Sequence, residues 1–122
     1  MKCIFINVLE NRYPEVVDIL PENHIFSDML RCDWLDFCYR EIDGKKYTFI
    51  VDDVGLYREN PKPAVIDENL EVHLVGNVLI FGFPDNEGEL TELTTDDIKA
   101  IMRRTISIKK SGAEVGHVGL LI

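Results

Sequence analysis

Apolar and polar residues alternate along most of this chain at the two-residue period of a β-strand, and the period becomes helical only twice. Lys2 to Leu9 reads as a strand, with Ile4, Ile6 and Val8 on one face and Cys3, Phe5 and Leu9 on the other. Apolar residues on both faces mark an inner strand. Glu10-Asn11-Arg12-Tyr13-Pro14 is a turn. Glu15 to Leu20 returns as a second strand that Pro21 stops, and a hairpin is the economical connection. Trp34 to Ile42 and Tyr47 to Val51 flank Asp43-Gly44, the strongest hairpin signal in the chain. Asp52 to Pro63 is loop-rich, with one helical turn at Leu56 and Tyr57. Ala64-Val65-Ile66 is a short strand followed by a turn at Asp67-Glu68-Asn69.

The longest apolar run, Val72 to Phe83, has two readings. Gly76-Asn77 is either a hairpin turn between Val72–Val75 and Val78–Phe81, or an irregular point before one long strand over Asn77–Phe83. The second is preferred. Asp85-Asn86-Glu87-Gly88 is then a turn.

The helical periods lie at His24–Arg31 and after Thr94. In the first, Asn23 is the expected cap, and Ile25, Phe26, Met29 and Leu30 share a face. In the second, Thr94 is the expected cap, Asp96 and Asp97 favour the positive end of the helix dipole, and Ile98, Ile101, Met102 and Thr105 face inward. Ile106 to Ile108 is extended and Lys109-Lys110-Ser111-Gly112 is a turn. Residues 112–122 read as an edge strand or a mobile tail. Hairpin turns without βαβ spacing predict an α+β fold. The expectation is one domain over residues 1–122, a single mostly antiparallel β-sheet with two short helices packed on one side.

Charge changes this picture. The chain carries a net charge of −9, and residues 63–98 account for all of it, with nine acids and no Lys or Arg. Residues 1–62 carry −4 and residues 99–122 carry +4. Such a balance argues against direct binding to a nucleic-acid backbone, which needs a cationic face. It offers instead an acidic interaction face of Asp67, Glu68, Glu71, Asp85, Glu87, Glu89 and Glu92. Solubilisation is the plainer explanation of the same residues.

Candidate chemistry is sparse. Three cysteines, Cys3, Cys32 and Cys38, without a secretion signal fit reduced thiols in a cytoplasm. No stretch is long and apolar enough to span a membrane. His24, His73 and His117 are far apart in sequence, so no Cys–His pair is indicated. The gap between Cys32 and Cys38 is wider than a zinc knuckle uses. Neither a catalytic residue nor a metal or cofactor is therefore expected. Asp96-Asp97 is explained by helix capping. Asp52-Asp53 follows a strand end, where sites often sit, and with the Asn60 loop it is the position for a small-ligand or small-enzyme site. Trp34, Tyr39, Tyr47 and Tyr57 are more simply sheet packing than a groove.

The segment Met29 to Ile98 resembles a family of small proteins of unknown function from phages, conjugative elements and Gram-positive gut bacteria. The resemblance rests on the Trp34–Ile42 and Tyr47–Val51 strand pair, the Asn60-Pro61 loop and Ala64-Val65-Ile66-Asp67-Glu68. It also rests on Val75-Gly76-Asn77-Val78-Leu79-Ile80-Phe81-Gly82 and on Leu93-Thr94-Thr95-Asp96-Asp97-Ile98. Ile106 to Ile122 departs from the family pattern. The resemblance implies a fold and assigns no reaction. With the acidic balance, it predicts a non-catalytic accessory protein that contacts another protein, one that is basic and binds nucleic acid. Self-association through the C-terminal tail is a further expectation.

Overall fold

Among the described residues the sequence alternation becomes nine strands in two sheets, not one. The structure, a computed structural model, describes residues 1–109 and 116–122. The first sheet has the order β2-β1-β7-β4-β3 and is antiparallel throughout. Its strands are β1 (Lys2–Ile6), β2 (Glu15–Asp18), β3 (Leu35–Ile42), β4 (Lys45–Asp52) and β7 (Val78–Gly82). The second sheet has the order β6-β5-β9-β8, from β5 (Pro63–Ile66), β6 (Val72–Val75), β8 (Thr105–Ile108) and β9 (His117–Leu121). In it, β5 and β9 run parallel and the other pairs antiparallel.

Two-sided strands explain the layering. On one face of the first sheet, Cys3, Phe5, Ile50, Leu79 and Phe81 pack under Phe26 and Leu30 of helix α1 (Asn23–Leu30). On the other face, Ile4, Ile6, Tyr47, Phe49, Val78 and Ile80 meet Ala64, Val65, Leu74 and Leu120 of the second sheet and Ile101 of helix α2 (Thr95–Met102). All five residues of β7 are buried. Each fully buried Ile, Leu or Phe contributes about 1.5–3 kcal/mol relative to exposure, which rewards a central position for this strand. The two helices therefore lie on opposite faces of the first sheet, where one side was expected.

The central run divides differently from both readings. Its strands end and begin where the hairpin reading puts them, yet they do not pair. Gly76 (φ 76°) and buried Asn77 carry the chain from the second sheet to the first. Asn77 Nδ2 donates to the Met29 carbonyl at 3.0 Å, and its Oδ1 accepts from Leu9 N–H at 3.1 Å, so one amide ties the crossover to α1 and to the turn that follows β1.

Local turn chemistry holds up. Asp43 (φ 52°) and Gly44 (φ 80°) make the two-residue hairpin turn, and Ile42 pairs Lys45 across it. β1 and β2 form the expected hairpin, and Gly55–Tyr57 is the single helical turn. Thr94 caps α2 in a reciprocal box with Asp97. Three details are corrected. Glu22, not Asn23, occupies the cap position of α1, and without a side-chain cap bond. Thr105 begins β8 instead of extending α2. The tail is not an edge: β9 lies between β5 and β8, so both of its backbone edges are used inside the chain. The expected turn at Lys109–Gly112 falls, beyond Lys109, outside the described residues, as do residues 112–115 of the tail.

Candidate functional site

Two acidic turns share one construction. Asp67 Oδ1 accepts from the N–H groups two and four residues on, Asn69 at 2.8 Å and Glu71 at 3.1 Å. Asp85 Oδ1 does the same with Glu87 at 2.9 Å and Glu89 at 3.0 Å. In each turn the fourth residue is left-handed, Leu70 at φ 64° and Gly88 at φ 80°. These aspartates replace missing ladder partners for a tight backbone reversal. His73 Nε2 lies 2.9 Å from Asp67 Oδ2, and this contact holds the Asp67 carboxyl below its ordinary range, with the backbone donors adding to it against a smaller opposing effect of burial. Glu92 Oε1 accepts from Lys2 N–H at 2.8 Å.

Three of the seven acids read from the sequence as an interaction face thus brace backbone. The other four, Glu68, Glu71, Glu87 and Glu89, are exposed, and none joins an ion pair among the described residues. The Asp67 turn links β5 to β6 in the second sheet, and the Asp85 turn follows β7 of the first.

Asp52 divides two small clefts. One, of about 180 Å³, is lined by Asp36, Cys38, Asp52, Asp53, Leu56 and His73. The other, of about 170 Å³, is lined by Asp52, Arg58, Asn60, Lys62 and Asn77. Asp52 and Asp53 therefore meet at the first cleft, while Asn60 lies at the second. The Asp52 carboxylate is already occupied: Oδ2 accepts from Arg58 Nε at 2.6 Å and Oδ1 from Val54 N–H at 3.1 Å.

One tightly bonded ionisable group, Asp97, is explained only in part by the sequence. Asp97 is the third residue into α2, and its Oδ2 accepts from Thr94 N–H at 2.9 Å as a capping box requires. Its Oδ1 also accepts from Lys45 Nζ at 2.7 Å and from the buried Tyr47 hydroxyl at 2.9 Å. Burial by itself pushes the carboxyl up. The bonds from Lys45, Thr94 and Tyr47 outweigh it and hold Asp97 down at about 2. Burial and the Asp97 contact push the Tyr47 phenol up. Both carboxylate oxygens being filled, the group acts as a clamp between α2 and β4. The legible signal was the Lys45–Tyr47 alternation, which sets both side chains on one face of a strand; the 50-residue separation hid the acceptor.

Burial pushes the thiols of Cys3, to about 12, and of Cys32 and Cys38 upward, which favours the protonated form. His24 lies beside Glu22, His73 beside Asp67 and His117 against the Pro63 carbonyl, three separate places. Among the described residues, no group of three or more His, Cys, Asp or Glu is placed to hold a metal ion. No described helix is long and apolar enough to cross a membrane.

Fold and side chains together define a small two-sheet α+β protein with braced acidic turns and a buried carboxylate clamp. The chain belongs to the family described as domain of unknown function DUF3846, whose model matches residues 1–106. The match stops within β8, and β9, an inner strand of the second sheet, lies beyond it. Neither the curated proteins nor the solved structures provide a match to this chain.

Proposed function

We propose that this is a non-catalytic accessory protein of a mobile genetic element or its bacterial host, which works by contacting a basic, nucleic-acid-binding protein. Its acidic surface would substitute for a nucleic-acid backbone. One observation carries the reading: Asp67 and Asp85 brace their own turns, and this leaves Glu68, Glu71, Glu87 and Glu89 exposed on two braced reversals, with no ion pair to any of them among the described residues. The resemblance to proteins of phages and conjugative elements supports the setting. A preorganised charge presents itself at lower entropic cost than one on a mobile loop.

The test uses a Lys/Arg-rich peptide of about 20 residues at low and high salt. Replacing Glu68, Glu71, Glu87 and Glu89 together by Gln should weaken binding about tenfold, and salt should weaken the unaltered protein similarly. A control with Glu15, Glu22 and Glu59 changed to Gln and Asp28 to Asn alters net charge equally and should leave binding within about threefold. Equal losses in both variants, or salt-independent binding, would overturn the proposal.

A second reading, a small-ligand or small-enzyme site around Asp52, Asp53 and Asn60, draws support from the two clefts. Each is smaller than the roughly 300–1,000 Å³ usual for organic ligands, so it would suit only an ion or a very small molecule. Titrating Mg²⁺, Ca²⁺ and phosphate while following the Asp53 and Asn60 amide resonances tests it; unmoved resonances remove the reading.

A further inference from the structure

The free edges of the two sheets are unequal. β2, β6 and β8 are four residues each, short enough to be poor templates, and β2 is bracketed by Pro14 and Pro21. β3 is eight residues long, pairs among the described residues only with β4 and carries exposed aromatic rings at Phe37 and Tyr39, with Trp34 just before it. Long, aromatic edge strands are the kind that other strands add to.

The hairpin settles which backbone groups β3 leaves unpaired. A two-residue turn makes Ile42 and Lys45 a hydrogen-bonded pair, and such pairs then alternate along the ladder. Even-numbered residues of β3 therefore bond to β4, as Asp53 N–H does to the Trp34 carbonyl at 2.9 Å just past the strand. Leu35, Phe37, Tyr39 and Glu41 turn their N–H and C=O groups outward. Arg40 agrees with this parity, because its Nη1 folds over the edge and donates to the Tyr39 carbonyl at 2.8 Å.

The outward residues and their charged neighbours are complementary to themselves. In an antiparallel pairing of β3 with a second β3 centred on Cys38, Phe37 faces Tyr39 of the second copy and Leu35 faces Glu41. All of these are outward-bonding residues, so the four hydrogen-bonded pairs supply about eight backbone bonds. On the other side of the strand, Asp36 faces Arg40 of the second copy, and the two-fold axis repeats the pair. Neither Asp36 nor Arg40 joins an ion pair among the described residues. A shift of two residues either way sets Asp36 or Arg40 against Cys38 instead, and a shift of four opposes like charges.

We infer that the partner of this edge is a second copy of the chain, joined β3 to β3 about a two-fold axis at Cys38 into a continuous ten-stranded sheet. The interface is isologous, with Asp36 opposite Arg40 twice and Phe37 opposite Tyr39 twice. On pairing, Arg40 leaves the Tyr39 carbonyl, which the neighbouring strand then satisfies. The two Cys38 residues form the non-hydrogen-bonded pair at the axis, where Cα atoms stand about 4.5 Å apart, within the range a disulfide spans.

Sedimentation equilibrium of the full chain at moderate salt, over about a hundredfold range of concentration, is the test, with circular dichroism confirming that each variant folds. The expected species is a dimer. Arg40→Asp and Asp36→Arg should each weaken it about tenfold or more, and the double variant, which restores opposite charges across the axis, should return to within about threefold of the original. Diamide, which accepts the two electrons and two protons, should then trap a disulfide dimer that Cys38→Ser abolishes, since Cys3 and Cys32 are buried. A monomer throughout, which would include the case of an edge reserved for another protein, overturns the inference. So does a dimer that the single charge reversals leave unchanged, that the double variant does not restore, or that cannot be trapped through Cys38. If a single reversal fails to fold, the double variant and the disulfide still decide.

Discussion

Replacing Asp97 by asparagine removes one charge from a side chain that is 5% exposed while keeping its shape. The carboxylate receives Lys45 Nζ, the Tyr47 hydroxyl and Thr94 N–H, and these hold it at about 2 against an ordinary 3.8. A tenfold change in proton affinity is worth about 1.4 kcal/mol, so the depression corresponds to roughly 2.5 kcal/mol. The Lys45 side chain is 57% exposed, and solvent screens its share, which leaves about 2 kcal/mol. The folded-state value lies below the unfolded one. The stabilisation is therefore complete above about pH 4 and is lost as pH falls towards about 2. Urea unfolding of both proteins between about pH 7 and pH 2.5 reads this directly. Asp97→Asn should be less stable by about 2 kcal/mol near neutrality, equivalent to about 8 °C in Tm for a chain of this length, and the gap should narrow below about pH 4. Adding Tyr47→Phe should cost less in the Asp97→Asn background than in the original protein, because the hydroxyl has already lost its ionised acceptor. A gap that stays constant down to about pH 2.5, or is under about 0.5 kcal/mol at neutrality, would refute the clamp.

Two other substitutions probe the joints between layers. Asn77→Ala leaves the Leu9 N–H and the Met29 carbonyl without the partner that ties the crossover down, and should cost about 2–3 kcal/mol by urea unfolding. Gly119→Ala places a Cβ 2.4 Å from the Ala64 carbonyl oxygen, a backbone atom of the neighbouring strand that has no rotamer to escape into. It should destabilise by about 2 kcal/mol or more and speed amide exchange in β5 and β9 ahead of β1 and β7.

The candidate surface was legible in part. The absence of Lys and Arg from residues 63–98 is a property of the sequence alone, and it singled out the acids. What it could not separate were Asp67, Asp85 and Glu92, which accept backbone bonds, from Glu68, Glu71, Glu87 and Glu89, which face solvent. An acid bracing a turn and an acid presented to a partner look alike in one dimension, because the difference lies in which N–H groups the chain folds back towards it. The sequence marks Asp97 only as a helix cap for the same reason: Thr94 is three residues away and visible, whereas Lys45 and Tyr47 arrive from a distant strand.

Interactions spanning a few residues were determined by the sequence itself. The Asp43-Gly44 turn and the register of β3 on β4 follow from local backbone geometry, as do the Thr94 cap and the alternation that makes β1, β4 and β7 two-sided. The tertiary structure decided which partners those surfaces found. An apolar face records that something must cover it and does not record what. So the split into two sheets, the opposite placement of α1 and α2, and the crossover at Gly76-Asn77 came from long-range packing. So did the inner position of β9: its apolar residues and Gly119 fit an edge strand equally well until β5 and β8 close on both sides of it.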